Sequence, residues 1–357
     1  MAYSRGKILI VIALGVALVL TACAANPDGN TQKIPVDAAS ANMPTELRFG
    51  YFPNFTHAIA IVALEKGYLA RHLGKSVKLS PVTFNAGPAA VEAIFGGAVD
   101  VTLAGPNPTI TGFVQSKGAA LEVISGAASG GAGLVVRKGI TSAADLKGKT
   151  IASPQLGNTQ DVALRYWLKK KGLKTTTEGG GDVHIVPQDN ATTLASFIAG
   201  NIDGAWVPEP WVTRLVAGGN GTELVDESSL WKNGKFVVAN TVAATAFAKK
   251  YPAAITAVIA AELDAIAYIK SNPEAAKKLV NTSIKTLTGS AIDPTYLDKA
   301  WASVDFTIDP LPSTLLASAN HAHSLGLLDS VDLAGLYDLA PLNVLLAERG
   351  EKNVDAP

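Results

Sequence analysis

From Leu47 onward, strand-like and helix-like segments alternate along the chain, and Gly or Pro marks most of the turns between them. The first strands are predicted at Leu47–Tyr51, 77–84 and 99–104, with a helix after each of them. A βαβαβ order predicts a parallel sheet with helices on its faces. Pro81 within the second of these strands favours an edge position or a bulge.

A second α/β unit follows at about residues 132–236, and beyond Ala243 the chain is mostly helical, with Pro breaks. The Gly/Ala/Ser-rich segment Ser125–Gly133 is interpreted as a hinge crossover, with a plain surface loop as the alternative. A return crossover is predicted to begin at Phe236–Ala239. We therefore predict an α/β fold with two lobes joined by two crossovers and with the ligand in the cleft between them. The predicted boundaries are 46–127 plus 240–350 for lobe 1, on which the C-terminal helices pack, and 128–239 for lobe 2.

The N-terminal segment has the pattern of a signal peptide. Arg5 and Lys7 precede an apolar run, Ile8–Leu20, which is shorter than the roughly 20 residues needed to span a bilayer. The run ends in LTAC, a sequence typical of a bacterial lipobox with Cys23 as the lipidated residue. We expect residues 1–22 to be removed, 23–45 to form a lipidated flexible tether, and the protein to be anchored at the extracytoplasmic face of the cell membrane. The alternative is an ordinary secretory signal with an incidental cysteine.

Composition excludes several classes of protein. The 30 Lys+Arg balance the 30 Asp+Glu, which argues against a nucleic-acid-binding protein. The single cysteine excludes an intrachain disulfide framework and a Cys-rich zinc site. Gly-x-Ser-x-Gly, P-loop and His-Glu-x-x-His motifs are missing, and the pair His321 and His323 lacks evident further metal ligands. We predict a monomer without catalytic residues, cofactor or metal.

Polar residues follow the predicted strands, at the positions where open α/β sheets bind ligands. Neutral amides and hydroxyls dominate and Lys and Arg are scarce, which suits an anion held by helix N-termini. For each residue alone, helix capping, a tight turn or core packing is the plainer interpretation. The candidates are Asn54, Phe55, Thr56, His57, Asn85, Gly87, Gly105, Asn107, Ser129, Gln155, Asn158, Thr159, Gln160, Gln188, Trp206, Glu209 and Trp211.

Several stretches resemble a known family, the lipid-anchored substrate-binding proteins of ABC importers for aliphatic sulfonates, taurine and nitrate. The matching stretches are YFPNFTHAIAIVALEKGYL at 51–69, TFNAGPAAVEAIFGGAVD at 83–100, AGPNPTITGFVQSKG at 104–118, DLKGKTIASPQLGNTQDVALRYWL at 145–168 and IDGAWVPEPW at 202–211. The resemblance implies a two-lobed periplasmic-binding-protein fold. It also implies delivery of the solute to a membrane permease driven by a separate ATPase.

The resemblance also implies roles for individual residues. Asn107, Asn158 and Thr159 are expected to donate hydrogen bonds to the anion, and Phe55 and Trp206 to form walls for an organic tail. Glu209 would repel an anion unless it meets a ligand ammonium, as in taurine. The alternative is that Glu209 braces its own turn.

The leading function is capture of an aliphatic sulfonate or taurine for import. Within the same class, nitrate, bicarbonate and a thiamine pyrimidine precursor are alternatives. An enzyme on the same fold is a second class, but relatives that make the thiamine pyrimidine use a cysteine-rich motif, and this chain has only Cys23. A lipoprotein sensor or adhesion module is a third class.

Overall fold

The computed structural model describes residues 42–356, so Cys23 and the predicted signal segment lie outside the described residues. Within this range the strands form two mixed sheets. The first sheet has the order β11-β4-β10-β3-β1-β2 and the second has the order β7-β6-β8-β5-β9. The strands are β1 (Glu46–Tyr51), β2 (Lys78–Thr83), β3 (Val101–Ala104), β4 (Leu121–Gly130), β5 (Ala132–Val136), β6 (Thr150–Ser153), β7 (His184–Pro187), β8 (Gly204–Pro208), β9 (Thr222–Asp226), β10 (Val237–Ala244) and β11 (Val304–Phe306).

In each sheet, the strands that are followed by a helix pair in parallel. Strand β1 pairs in parallel with β2 and β3, and β6 pairs in parallel with β7 and β8. The carboxyl ends of these strands therefore meet at one edge of their sheet, and the loops that follow them lie close together. β2, which contains Pro81, is the edge strand of the first sheet, as predicted.

Helices cover both sheets, and proline begins several of them at a position where its missing N–H has no cost. Pro252, Pro273 and Pro294, expected as breaks, each open a helix. The helices are α1 (Ala58–Glu65), α2 (Tyr68–Leu73), α3 (Gly87–Phe95), α4 (Pro106–Gln115), α5 (Thr159–Lys170), α6 (Asn190–Ala199), α7 (Trp211–Ala217), α8 (Thr245–Lys250), α9 (Pro252–Ser271), α10 (Pro273–Thr288), α11 (Pro294–Ala302), α12 (Pro312–Ser324) and α13 (Ala340–Glu348).

Most of the segment Ser125–Gly133, which we predict to be a hinge crossover between two strands, is itself strand. Strand β4 continues to Gly130, pairing with β10 and β11, and only Gly131 separates it from β5 in the second sheet. Glycine is needed within this strand because a Cβ at Gly126 would lie 2.2 Å from the carbonyl oxygen of Asp309. The chain thus passes between the sheets at Gly131 and returns between β9 and β10. The lobe boundaries themselves stay a prediction.

Helix α9 is the central helix of the first-sheet core. It packs against α1, α2, α10 and α13, and its apolar residues belong to the largest cluster of buried side chains. Among the residues that the structure describes, α9 alone is long and apolar enough to cross a membrane, and 67% of its apolar window is buried inside the protein. That burial identifies it as a core helix.

Candidate functional site

The loops at the strand ends enclose a small polar cavity, here called the inner chamber. Its volume is about 20 Å³, room for little more than one water-sized group. Eight of the sequence candidates line it: Asn54, Thr56, His57, Asn85, Gly105, Asn158, Thr159 and Gln160. The remaining lining residues are Phe52, Ala86, Pro154, Asn190, Pro208 and Val238, so the lining holds no Lys or Arg.

A larger cavity, the outer chamber, adjoins the inner one and has a volume of about 260 Å³. Asn54, Asn85 and Asn190 line both chambers, so the two lie side by side. The outer chamber adds apolar walls and one acidic side chain. These added residues are Pro53, Thr83, Phe84, Asp189, Ala191, Thr192, Trp211, Leu287 and Thr288.

His57 presents a neutral imidazole to the inner chamber. The backbone N–H of Phe52 donates a hydrogen bond to Nδ1 of His57 at 3.1 Å, and the two rings stack with centroids 4.1 Å apart. Burial lowers the pKa of His57 to about 3. A neutral ring whose Nδ1 accepts carries its proton on Nε2, so His57 is a hydrogen-bond donor on its other side.

The side-chain orientation of Asn54 is also fixed by a hydrogen bond, here from a residue of the helix that follows strand β8 of the second sheet. The indole Nε1 of Trp211, on α7, donates to Oδ1 of Asn54 at 3.0 Å. Because an indole N–H can only donate, the amide oxygen must face Trp211 and the amide nitrogen must face the other way. The sequence candidate Trp211 therefore acts on the inner chamber through Asn54, while its own ring lines the outer chamber.

On the other side of the cleft, hydrogen bonds also fix the side-chain orientations of Asn158 and Gln160. Oδ1 of Asn158 lies 3.4 Å from the backbone N of Gly87, which begins α3 on the first sheet. Nδ2 of Asn158 donates to Oε1 of Gln160 at 2.9 Å. With its oxygen occupied, Gln160 retains its amide nitrogen as a donor. Gly87 thus contributes its backbone, not a surface of the chamber.

The first turn of α5 adds backbone donors. Asn158 is the N-cap residue and makes no side-chain capping hydrogen bond, so the first N–H groups of α5 lack the partner that a cap would supply. Such a terminus attracts anions. The hydroxyl Oγ1 of Thr159 is buried and has no hydrogen-bond partner within residues 42–356.

Asp161, also in the first turn of α5, does not oppose an anion. Its carboxylate is fully buried and accepts hydrogen bonds from Ser153 Oγ at 2.7 Å, Gly157 N at 3.0 Å and Arg165 Nε at 2.9 Å. The charge is paired with Arg165, and the bond to Gly157 fixes the turn that leads into α5. Asp161 is therefore a positioning residue for the chamber.

Besides Gly87 and Trp211, seven sequence candidates do not line the inner chamber. Two of them lie in the strand regions: Ser129 Oγ accepts a hydrogen bond from the backbone N–H of Phe236 at 3.2 Å, and the backbone N–H of Gln188 donates to the carbonyl of Ser153 at 2.8 Å. Phe55 and Trp206 are fully buried in the core; Phe55 packs on Trp301, and Trp206 donates to Glu227 at 2.8 Å. Asn107 donates to the carbonyl of Ser318 at 3.1 Å. Gln155 is half-buried in the turn before α5 and does not line the chamber. The structure thus places apolar walls at Phe84, Trp211 and Leu287, not at Phe55 and Trp206.

Glu209, the last of these candidates, is buried and turned towards its own helix. Its carboxylate accepts hydrogen bonds from the backbone N–H of Thr213 at 3.1 Å and from Thr213 Oγ1 at 2.9 Å. Burial raises the pKa of Glu209 to about 7, although the bonds from Thr213 act in the opposite direction. Its carbonyl also accepts from Phe55 N at 3.1 Å, which joins the two sides of the cleft. This geometry is that of a residue bracing its turn.

Sequence reasoning missed Phe52 and Asn190. Phe52 precedes the first candidate loop by two residues, and Asn190 begins α6 two residues after the candidate Gln188. The start of a helix after β7 was the available signal for Asn190.

Of the residues described, no group of three or more His, Cys, Asp or Glu could hold a metal ion. His321 stacks on Tyr166, and Nδ1 of His323 lies 2.8 Å from the carbonyl oxygen of Leu328.

Comparison with known proteins gives one family match and several relatives. The model of the NMT1-like family matches residues 40–284. A protein of Escherichia coli (strain K12) with the provisional name aliphatic sulfonates-binding protein is 29% identical over 240 residues, covering 66% of this chain and 70% of that protein.

Solved structures with the same fold include two periplasmic-type binding proteins. The alkanesulfonate-binding protein SsuA from Xanthomonas axonopodis pv. citri, bound to MOPS, superposes with a TM-score of 0.71 at 23% identity over 84% of this chain and 100% of that chain. The nitrate-binding protein NrtA from Synechocystis PCC 6803 gives 0.71 at 18% identity over 87% and 90%. The predicted α/β fold of periplasmic binding proteins is confirmed.

Proposed function

We propose that this chain, which belongs to the NMT1-like family, is the solute-binding component of an ABC importer and captures a small organic anion in its two-chamber cleft. Relatives with a named ligand include binding proteins for aliphatic sulfonates, taurine and nitrate, which supports a ligand of this kind. The captured solute would pass to a membrane permease driven by a separate ATPase. We propose binding without catalysis, by a monomer.

One observation carries the proposal: three side chains of the inner chamber are oriented as donors. His57, Asn54 and Gln160 each have an acceptor atom occupied by another group of the protein. Their remaining N–H groups, with the start of α5, are suited to anionic oxygens. Neutral donors hold such a group without the desolvation cost of a buried Lys or Arg.

The outer chamber favours an organic anion over nitrate or bicarbonate. An inorganic anion would occupy the inner chamber alone, whereas a sulfonate can extend its tail between Phe84, Trp211 and Leu287. We therefore propose an aliphatic sulfonate as the ligand class. The inner chamber would have to widen slightly to admit the sulfonate group, because its present volume is close to that of one water-sized group.

A ligand ammonium, as in taurine, would meet Asp189 and not Glu209. Asp189 is exposed at the outer chamber, while the Glu209 carboxylate is occupied by Thr213. The neighbouring Asn190 has a buried Oδ1 without a hydrogen-bond partner among the described residues, and an N–H of the ligand could satisfy it.

Export and lipid anchoring through Cys23 complete the proposal. The LTAC sequence supports them, and Cys23 lies outside the described residues. Mass spectrometry of the N-terminal peptide from membranes tests this part. A diacylglyceryl Cys23 is expected, and an unmodified Cys23 would refute the anchor while leaving the cleft proposal intact.

A thermal-shift panel tests the ligand. Taurine, ethanesulfonate, a longer alkanesulfonate, sulfate, nitrate, bicarbonate and a thiamine pyrimidine are compared on the purified protein. A ligand at about 100 times its dissociation constant adds roughly 2.7 kcal/mol to the free energy of unfolding, which raises the melting temperature by several degrees. Shifts with sulfonates alone support the proposal. A shift with nitrate or the pyrimidine alone would reassign the ligand, and no shift would refute anion capture by this cleft.

A further inference from the structure

A second cavity of the protein, here called the aromatic groove, lies outside the two-chamber cleft. Its volume is about 350 Å³, within the roughly 300–1,000 Å³ typical of small-molecule sites. It lies between α5, the segment that follows β9, and α12. The residues that define it are Tyr166, Trp167, Lys170, Lys171, Trp231 and His321.

The groove is separate from the cleft although both involve α5. No residue that lines the groove lines either chamber. Thr159, at the start of α5, lines the inner chamber, and Tyr166 lies about 10 Å further along the helix at 1.5 Å per residue. A ligand in the groove therefore would not touch the anion donors.

Aromatic rings form a continuous wall of the groove. Tyr166 from α5 and His321 from α12 stack with centroids 3.6 Å apart and planes 14° from parallel. Trp231 lies 5.5 Å from His321 and is itself stacked on Phe236. All three rings that face the groove here are only half-buried, so their remaining surface is open to a ring of a ligand.

The accessible charge at the groove is positive. Lys170 and Lys171 are exposed at the end of α5, and Nζ of Lys171 lies 5.8 Å from the centroid of Trp167. The one carboxyl group in the lining, Glu227, is buried and accepts a hydrogen bond from Trp206. His321 adds no charge near neutral pH, because burial and the neighbouring Lys170 lower its pKa to about 4.

From this combination we propose that the aromatic groove is a second ligand site, which binds a planar aromatic carboxylate. The ring of the ligand packs on Tyr166, His321 and Trp231, and its carboxylate pairs with Lys170 and Lys171. Neither the rings nor the lysines alone would select such a compound. The rings favour flat apolar surface, and the lysines favour any anion.

Isothermal titration of the full chain with 2-naphthoate tests the site. Saturable binding is expected, weakened roughly tenfold for the non-planar cyclohexanecarboxylate and for the uncharged 2-naphthylmethanol, about 1.4 kcal/mol for each lost feature. Absence of saturable binding at millimolar 2-naphthoate would overturn the proposal. Equal binding of the three compounds would overturn it as well.

Two sets of variants locate the binding. The double variant Lys170→Gln and Lys171→Gln changes only exposed side chains and is expected to weaken 2-naphthoate binding roughly tenfold, about 1.4 kcal/mol. The matched control is Lys249→Gln with Lys250→Gln, a pair of adjacent exposed lysines at the end of α8 that also lies beside an aromatic ring, Tyr251. Equal weakening in the two pairs would overturn the proposal.

A cleft variant distinguishes this site from the proposed anion site. Asn158→Asp changes the inner chamber and is expected to leave 2-naphthoate binding unchanged. If it abolishes that binding, the probe occupies the cleft and the groove is not its site. Binding that persists in Asn158→Asp supports the groove whether or not the cleft binds sulfonates.

Discussion

The indole nitrogen of Trp211 donates a hydrogen bond to Oδ1 of Asn54 at 3.0 Å, joining α7 of the second sheet to the loop after β1 of the first. Because the indole can only donate, this bond sets which end of the Asn54 amide faces the inner chamber. It also links the two sides of the cleft. One residue pair therefore both joins these two sides and sets the orientation of the Asn54 amide.

Trp211→Phe is expected to weaken sulfonate binding roughly fivefold. Phenylalanine keeps an aromatic wall in the outer chamber but removes the donor, and a typical net hydrogen bond contributes about 1 kcal/mol. Titration with ethanesulfonate measures the change. Trp301→Phe, the same substitution in the first-sheet core, is the control, and equal affinities of Trp211→Phe and wild type would refute the orienting role.

Asn158→Asp is expected to weaken anion binding by roughly 10- to 100-fold, since hydrogen bonds to charged groups are worth about 1.5–3 kcal/mol. The carboxylate would repel Oε1 of Gln160, which now accepts from Asn158 Nδ2, and would turn the Gln160 oxygen towards the chamber. The added charge would oppose the ligand as well. Asn320→Asp, on the exposed side of α12, is the matched control. Unchanged affinity in Asn158→Asp would contradict the donor arrangement.

Gly105→Ala is expected to prevent full closure of the cleft. A Cβ at this position would lie 2.2 Å from Oγ1 and 3.3 Å from Cβ of Thr159, so the Thr159 side chain at the start of α5 would have to turn or shift away from Gly105. Sulfonate affinity should fall by tenfold or more, about 1.4 kcal/mol, with little change in the melting temperature of the ligand-free protein. Gly180→Ala, where the nearest atom lies 3.5 Å away, should change neither quantity.

The sequence predicted most of the fold and eight of the residues that line the inner chamber, but not which of the other candidates lie away from that chamber. Strands β1, β3 and β6 have apolar runs that end at Gly or Pro, so the loops after them could be assigned. Phe52 and Phe55 lie in the same loop, but Phe52 lines the inner chamber whereas Phe55 is buried in the core. The difference arises from the 3-10 turn Phe55–His57, which the sequence did not reveal. Trp206 points to Glu227, a partner that lies 21 residues later and leaves no mark in the local sequence.

Three strand segments could not be identified from the local sequence pattern either. The second half of β4 consists of Gly, Ala and Ser, residue types without strand propensity. This part forms a strand because its small residues leave room for the backbone of Asp309, which packs against it. Strands β9 and β11 were not predicted. β11 alternates in burial but has only three residues, and β9 is a partly exposed edge strand without apolar alternation.

Taurine selectivity is expected to depend on Asp189 and not on Glu209. Glu209→Gln should leave the ratio of taurine to ethanesulfonate affinity unchanged, because its carboxylate is held by Thr213. Asp189→Asn should reduce that ratio while leaving ethanesulfonate affinity intact. Competitive titration measures both ratios. A loss of taurine preference in Glu209→Gln alone would assign the ammonium to Glu209 and refute the role of Asp189.

The pH dependence of stability is expected to change in Glu262→Gln. Glu262 lies on α9 and is fully buried, and it accepts hydrogen bonds from Ser125 at 2.7 Å and Thr241 at 2.6 Å, residues that face each other in the β4–β10 pair. Burial raises its pKa from 4.5 to about 7. Between these pH values the folded protein binds more protons here than the unfolded chain, so this residue makes the free energy of unfolding fall as pH rises.

Glutamine removes that dependence while keeping an acceptor for the two hydroxyls. Relative to wild type, the variant should therefore gain up to about 3 kcal/mol between pH 4.5 and 8, most of it below pH 7. His57 and the other buried carboxyls titrate alike in both proteins and cancel in the difference. Urea unfolding at several pH values measures it, with Glu351→Gln at the exposed C-terminal end as the control. A difference that stays constant across this range would show that Glu262 is ionised in the folded protein throughout, and that the hydroxyls of Ser125 and Thr241 fully compensate its burial.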